Sequence, residues 1–314
     1  MSIDWYPGHM NKARRVIAEA LPSKDVVLEV LDARMPAAST NPVFAKLRRD
    51  KPCIKILSKS DLADPEVTRA WLRHLEAEDA SGRVVAVALS KAKPAETRAR
   101  IAELCHRLAP HRTGPLKTIR ALIVGIPNVG KSTLINTLME RNVAKVSDKP
   151  AVTRAEQLVT LKSGITLSDN PGILARRMDE AATFRLALGG AIPDVAIDYE
   201  SVGIFAAGYF ARAYPALLCA RFKLQTLPDA PEAVLDAIGH RRGCLRAGGV
   251  VDRHKAGDIL VHEFRAGTLG AISLERPGDL SAAEAPSDAE AETSAASAEP
   301  SASGDEASDA QRSG

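Results

Sequence analysis

Short apolar runs rich in β-branched residues punctuate the first half of the chain, at 26–31, 53–57, 83–88, 119–124, 157–161 and 164–167. The first is almost continuously apolar, the signature of a strand covered on both faces. Between the runs the period changes to that of helices: one around 41–48, one from about 64 with Val67, Trp71 and Leu75, one over 95–108 with Ile101, Leu104 and Leu108, and one after 131 with Leu134, Ile135 and Leu138. Strand and helix in regular alternation predict a mostly parallel sheet with helices on both faces. Residues 4–20 differ: Lys12, Arg14 and Arg15 crowd a short helix with Val16, Ile17 and Leu21, behind a Pro7-Gly8 turn expected to project His9. The alternation stops after about Ala175, and 178–275 reads as helices anchored by Tyr, Leu and Phe and broken by Pro193, Pro215, Pro228 and Pro231. From Arg276 large apolar residues almost vanish, which predicts a disordered tail and a chain that keeps its stability when ended near Leu274. The expected organisation is an α/β domain over 1–176, a small all-helical domain over 177–275 and the tail over 276–314.

Residues 125–132, Gly-Ile-Pro-Asn-Val-Gly-Lys-Ser, fit G-x-x-x-x-G-K-[ST], between an apolar strand and a helix start. In such a loop Val129, Gly130 and Thr133 offer backbone N–H groups to phosphate oxygens, with the helix N-terminus adding positive potential. Lys131 reaches the β- and γ-phosphates, and the Ser132 hydroxyl ligates Mg²⁺. The sequence therefore predicts a nucleoside triphosphate site. A second signal stands at two other strand ends, Ser58-Lys59-Ser60-Asp61 and Ala88-Leu89-Ser90-Lys91. Guanine presents N1–H and N2–H₂ side by side, and a carboxylate such as Asp61 accepts from both, whereas adenine has no such donor pair. Lys59, Ser90 and Lys91 complete that base-reading pattern. Ser58 stands where Asn is usual. Further on, Thr153 lies in a polar segment, and Asp169-x-x-Gly172 ends the last strand. Asp169 is expected to hold Mg²⁺, Gly172 to meet the γ-phosphate through its N–H, and Thr153 to close over the metal. Ile173 occupies the place of the water-orienting Gln of Ras-like enzymes, so hydrolysis by the isolated chain is expected to be slow.

The overall charge of +3 conceals a segregation. Beyond Leu280 stand eight carboxylates and one arginine; taking these from 39 Asp+Glu and 42 Lys+Arg leaves 31 against 41, a body of about +10. A basic body suits a polyanionic partner, and the helical part offers Lys223, His240, Arg241, Arg242, Arg246, Arg253, His254 and Lys255 to RNA phosphates. The four cysteines show no paired metal-ligand spacing, and no apolar run approaches a membrane span, so a cytoplasmic protein is expected.

The base-reading segments precede the phosphate loop, an order inverted relative to ordinary GTPases and characteristic of circular permutation. With that order, Trp5-Tyr6-Pro7-Gly8-His9-Met10, Asp32-Ala33-Arg34-Met35-Pro36, the loop Gly125–Ser132 and 236–244 (Asp-Ala-Ile-Gly-His-Arg-Arg-Gly-Cys), the chain resembles the YlqF/RbgA family of circularly permuted ribosome biogenesis GTPases over about residues 3–275. Departures are Ser58, Ala151 and Asn170. The resemblance implies a GTPase acting in late maturation of the large ribosomal subunit, with the pre-ribosomal particle and its rRNA as partner, neither DNA nor membrane, and a monomer off the ribosome. It implies that His9 supplies the catalytic group missing at Ile173, and that Asn128 helps seat K⁺. Other readings stay open: a non-enzymatic nucleotide-gated rRNA-binding module, a small-subunit permuted GTPase, or a P-loop kinase or ATPase, the last opposed by Asp61.

Overall fold

The computed structural model describes residues 9–79, 81–112, 117–139, 157–170, 172–174 and 178–280. Expectations placed on Pro7-Gly8, Thr153 and the tail beyond Leu280 lie outside these residues. In chain order the elements are α1 (His9–Ala20), β1 (Val26–Asp32), α2 (Pro36–Ser39), α3 (Pro42–Arg48), β2 (Cys53–Ser58), α4 (Pro65–Ala77), β3 (Val84–Ala88), α5 (Pro94–Leu108), β4 (Ile119–Val124), α6 (Lys131–Met139), β5 (Gln157–Thr160), β6 (Ile165–Asp169), α7 (Glu180–Gly189), α8 (Tyr199–Ala213), α9 (Pro215–Phe222), α10 (Pro231–Arg242) and α11 (Arg253–Ala266). The described residues as far as Pro277 belong to one compact unit.

The strands form one sheet in the order β3-β2-β1-β4-β6-β5. Every pairing is parallel except β5 with β6. All seven residues of β1 are buried, which explains its near-continuous apolar run, interrupted by Glu29. Because β1, β2, β4 and β6 run the same way, their carboxyl ends bring Asp32, Ser58, Val124 and Asp169 to one edge of the sheet. The register sets Asp32 opposite Ser58 and Ile123 opposite Asp169. Ligands of open α/β sheets bind along that edge.

Helix starts follow local chemistry. Asn41 caps α3 by accepting from Val43 N, and its amide nitrogen reaches Ile173 O at 2.9 Å. Asp64 caps α4 through Glu66 N and Val67 N. His9 is the first residue of α1.

The helical part is built on α8, which packs against α10 and α11. At its crossing with α11, a Cβ on Gly203 would stand 2.6 Å from Gly257 Cα, and one on Gly257 would stand 2.0 Å from Tyr199 O. Gly257→Ala is therefore expected to lower stability by about 1–3 kcal/mol, the usual cost of overpacking. The midpoint of urea unfolding measures it, and an unchanged midpoint rules out the close approach.

After α11 the chain returns over the base-reading side of the sheet. Ile272 N donates to Leu62 O (3.0 Å), and Trp71 Nε1 donates to Glu275 O (3.1 Å). The Glu275 carboxylate, 1% exposed, accepts from Ala37 N and Ala38 N at the start of α2. This corrects the expectation that a chain ending near Leu274 keeps its stability. Such a cut removes a buried cap, and the fold runs on through Glu275 despite its polar character. Among the described residues no single helix is long and apolar enough to cross a membrane.

Candidate functional site

The phosphate loop leaves β4 at the centre of the sheet. Gly125 has φ +148°, and a Cβ there would meet Val30 O at 2.5 Å, so only glycine lets the loop turn against β1. Lys131 begins α6 and folds back beneath the loop, donating to Ile126 O at 2.8 Å and Gly125 O at 3.2 Å. Gly172 lies directly against it: a Cβ on Gly172 would stand 2.9 Å from Lys131 Nζ and 2.6 Å from Pro127 N. Asp169, buried at the end of β6, acts electrostatically on the same amine. The structure thus brings Lys131 together with Asp169 and Gly172, which lie far from it in the chain.

Burial lowers the Lys131 pKa from 10.5 to about 8, against the opposing pull of Asp169. Between those values the folded chain holds fewer protons at this amine than the unfolded chain, so stability without ligand rises with pH across that window. A bound polyphosphate favours the ammonium and reverses the preference. Nucleotide affinity is therefore expected to fall above pH 8, by up to about tenfold per pH unit, with proton uptake on binding. Calorimetric titration in two buffers of different ionisation enthalpy measures both; an affinity flat from pH 7.5 to 9.5 refutes the lowered amine.

The base-reading loop is fixed from three sides. Ser60 N reaches Leu89 O (3.4 Å), Leu62 N donates to Lys59 O (2.9 Å), and the Ser58 hydroxyl lies 2.9 Å from Leu31 O and 2.5 Å from Val129 O. Ser58 therefore ties β2 to the phosphate loop through a backbone carbonyl. Lys59, at φ +55°, donates to Asp32 Oδ2 at 2.7 Å. Asp32 also takes both arms of the Arg34 guanidinium, at 2.9 and 2.8 Å. Burial by itself would raise the Asp32 carboxyl, but Arg34 and Lys59 overturn that and hold it well below the usual carboxylate range. Ser90 Oγ accepts from Ala92 N in the loop after β3, and Lys91 is exposed beside it.

One cavity of about 600 Å³ joins these parts, within the range usual for small-molecule sites. Lys59, Asp61, Ser90 and Lys91 line one end, and Gly130, Lys131, Ser132, Thr133 and Gly172 line the other. Asn128 stands between them with Ser58, and its amide nitrogen donates to Gly190 O at 2.9 Å. Val129 is buried behind the loop. Of the remaining site residues, His9 is described only as the start of α1, and Thr153 lies outside the described residues.

Sequence reasoning gave no role to Asp32 and Arg34, although opposite charges two apart at the end of a buried strand were a usable signal. It also missed the far wall of the cavity, made of Gly189, Gly190, Asp194, His262 and Arg265 from the helical part. Arg34 reaches that wall through Gly189 O (3.2 Å) and lies 4.7 Å from the centre of the Phe264 ring.

The profile of the 50S ribosome-binding GTPases matches residues 120–194. Ribosome biogenesis GTPase A of Bacillus licheniformis is 40% identical over 285 residues, covering 89% of this chain and all of its own length. The chain belongs to the ribosome biogenesis GTPase A family. The GDP-bound structure of TM YlqF superposes with a TM-score of 0.59 at 26% identity, covering 84% of this chain and 100% of that one. The crystal structure of GNP-bound YlqF from T. maritima gives 0.58 at 27% identity, covering 85% and 98%. The protein is accordingly a nucleotide-binding GTPase with a permuted P-loop domain and a helical C-terminal region.

The basic residues of the helical part singled out in the sequence divide into two sets. Arg242 pairs with Glu263, Arg253 with Asp236 (2.8 Å) and Arg246 with Asp252 (3.0 Å), so part of their charge is neutralised within the fold. Lys223, His240, Arg241, His254 and Lys255 are exposed, as is Arg246 beside its aspartate.

Proposed function

We propose that the chain hydrolyses GTP as an assembly factor in late maturation of the large ribosomal subunit, docking on the pre-ribosomal particle with GTP bound and leaving after hydrolysis. The observation that carries this reading is the single cavity joining Asp61 and Lys59 at one end to Lys131, Ser132 and Gly172 at the other, in a chain so similar to ribosome biogenesis GTPase A. Asp61 reads guanine, with Ser90 and Lys91 closing its edge. Lys131 and the N–H groups of Val129, Gly130 and Thr133 hold the phosphates. Ser132 and buried Asp169, with Thr153, form the hard-oxygen set that suits Mg²⁺, and Asn128 is the residue that would seat K⁺. When bound, Mg²⁺ neutralises charge between the β- and γ-phosphates. The chain supplies orientation: Gly172, close to Lys131, offers its N–H to the γ-phosphate. His9 is the group assigned to the attacking water.

The exposed basic residues of 177–275 contact rRNA phosphates, so that region works as the ribosome-facing domain, with the GTPase domain over 1–176. The protein acts in the cytoplasm and is a monomer off the ribosome. GTP turnover with and without purified large subunits tests the proposal, and stimulation by large but not small subunits is expected. One observation favours a second reading, a nucleotide-gated binder without useful hydrolysis: Ile173 is buried and apolar. Absence of stimulation by any subunit would decide for it.

A further inference from the structure

The chemistry of a nucleotide orders its own site. With the base at Asp61 and the phosphates at Lys131, the sugar has to lie between them. Between the two ends the phosphate loop presents Asn128, whose amide meets Gly190 O of the helical part. Asp194, His262 and Arg265 continue that wall of the helical part and line the same cavity.

Asp194 is the anionic side chain on that wall, and it is held in place. It follows the α7 corner and accepts from Arg265 Nη1 at 2.9 Å. Arg265 is itself fixed by Ala187 O (2.8 Å) and Leu188 O (3.2 Å), the carbonyls at the end of α7. Its positive charge suits that helix terminus. The Tyr199 hydroxyl bonds the same carboxylate, whose pKa is lowered despite partial burial because of Arg265. More than half of the Asp194 side chain nonetheless remains exposed. An ionised carboxylate has about four acceptor positions, so two donors leave capacity for a hydroxyl.

We propose that Asp194 accepts a hydrogen bond from a ribose hydroxyl of the bound guanine nucleotide, so that the helical part reads the sugar and forms the third wall of the GTPase site. The proposal rests on the base and phosphate placement above. It gives the helical part a direct contact with the nucleotide as well as with the ribosome. The hydrogen bond from Asn128 to Gly190 O ties that wall to the phosphate loop.

Affinities of the full chain for GDP, 2′-deoxy-GDP, 3′-deoxy-GDP and ADP test it. At least one deoxy analogue is expected to bind the wild type about tenfold or more weakly than GDP, the size of a hydrogen bond to a charged acceptor. In Asp194→Ala, GDP should fall to the level of that analogue while the analogue itself is unchanged. Asp194→Asn, which keeps an acceptor oxygen, should retain part of the discrimination. Equal binding of GDP and both analogues by the wild type overturns the proposal, as does discrimination that persists in Asp194→Ala. Equal loss of GDP and the analogues in that variant assigns Asp194 to packing and also overturns it. ADP binding as well as GDP would instead overturn the base reading, a separate failure.

Discussion

Asp61→Asn is expected to turn the protein from a guanine into a xanthine nucleotide binder, with GTP affinity falling about a hundredfold or more. Guanine presents two neighbouring donors, and the carboxylate accepts both. The asparagine amide keeps one acceptor and sets an NH₂ donor against the guanine N2–H₂. An unmade bond to a buried partner costs roughly 1–3 kcal/mol, and more when the lost acceptor is charged. Xanthine carries a carbonyl at that position and restores the pairing. The substitution is nearly isosteric, and the loop is held by Ser60 N to Leu89 O, Leu62 N to Lys59 O and Ile272 N to Leu62 O, so it should not disturb the fold. Dissociation constants for GTP, XTP and ATP in both proteins measure the effect. Wild-type protein that binds GTP and ATP alike would sink the guanine assignment.

The strands were legible because burial on both faces leaves a near-continuous apolar run, and β1 and β4 are such runs. Boundaries moved where a polar residue closes a strand: β1, β2 and β6 extend to Asp32, Ser58 and Asp169, the residues that face the site. The phosphate and base segments could be read because their chemistry is local, a few residues on one loop. The far wall of the cavity could not. Asn128 meets Gly190, and Arg34 meets Gly189, through bonds 62 and 155 residues long in sequence, made to backbone carbonyls that carry no side-chain signal. The basic residues of the helical part were all assigned to RNA phosphates. Pairing with Glu263, Asp236 and Asp252 shows that Arg242, Arg253 and Arg246 also serve the fold, and composition cannot separate these uses. The truncation near Leu274 was misjudged for a similar reason: nothing in the local composition marks Glu275 as the carboxylate that caps a helix.

His9→Ala is expected to remove most ribosome-stimulated GTP hydrolysis, about 10²–10⁴-fold in kcat, the span usual for a positioned general acid or base, with GTP affinity nearly unchanged. The argument begins at Ile173. It follows Gly172, is 1% exposed, and has no polar side-chain atom, while its carbonyl is held by Asn41. A buried aliphatic side chain cannot orient water, so the group that does so has to come from elsewhere. A histidine, neutral near physiological pH, can accept a proton from water or align it. His9 heads α1, a helix that carries Lys12, Arg14 and Arg15 and is anchored by buried Ile17. Phosphate-rich rRNA contacting those cations would move the head of the helix, and docking would then bring His9 to the γ-phosphate. An interaction made only in the transition state lowers kcat without touching ground-state binding. Ser132→Ala should behave differently, weakening Mg²⁺-dependent binding and turnover together. Stimulated kcat and nucleotide Kd measured for both variants separate the two roles. Wild-type stimulated turnover in His9→Ala would make that histidine structural and move the search for the catalytic group to the ribosome itself.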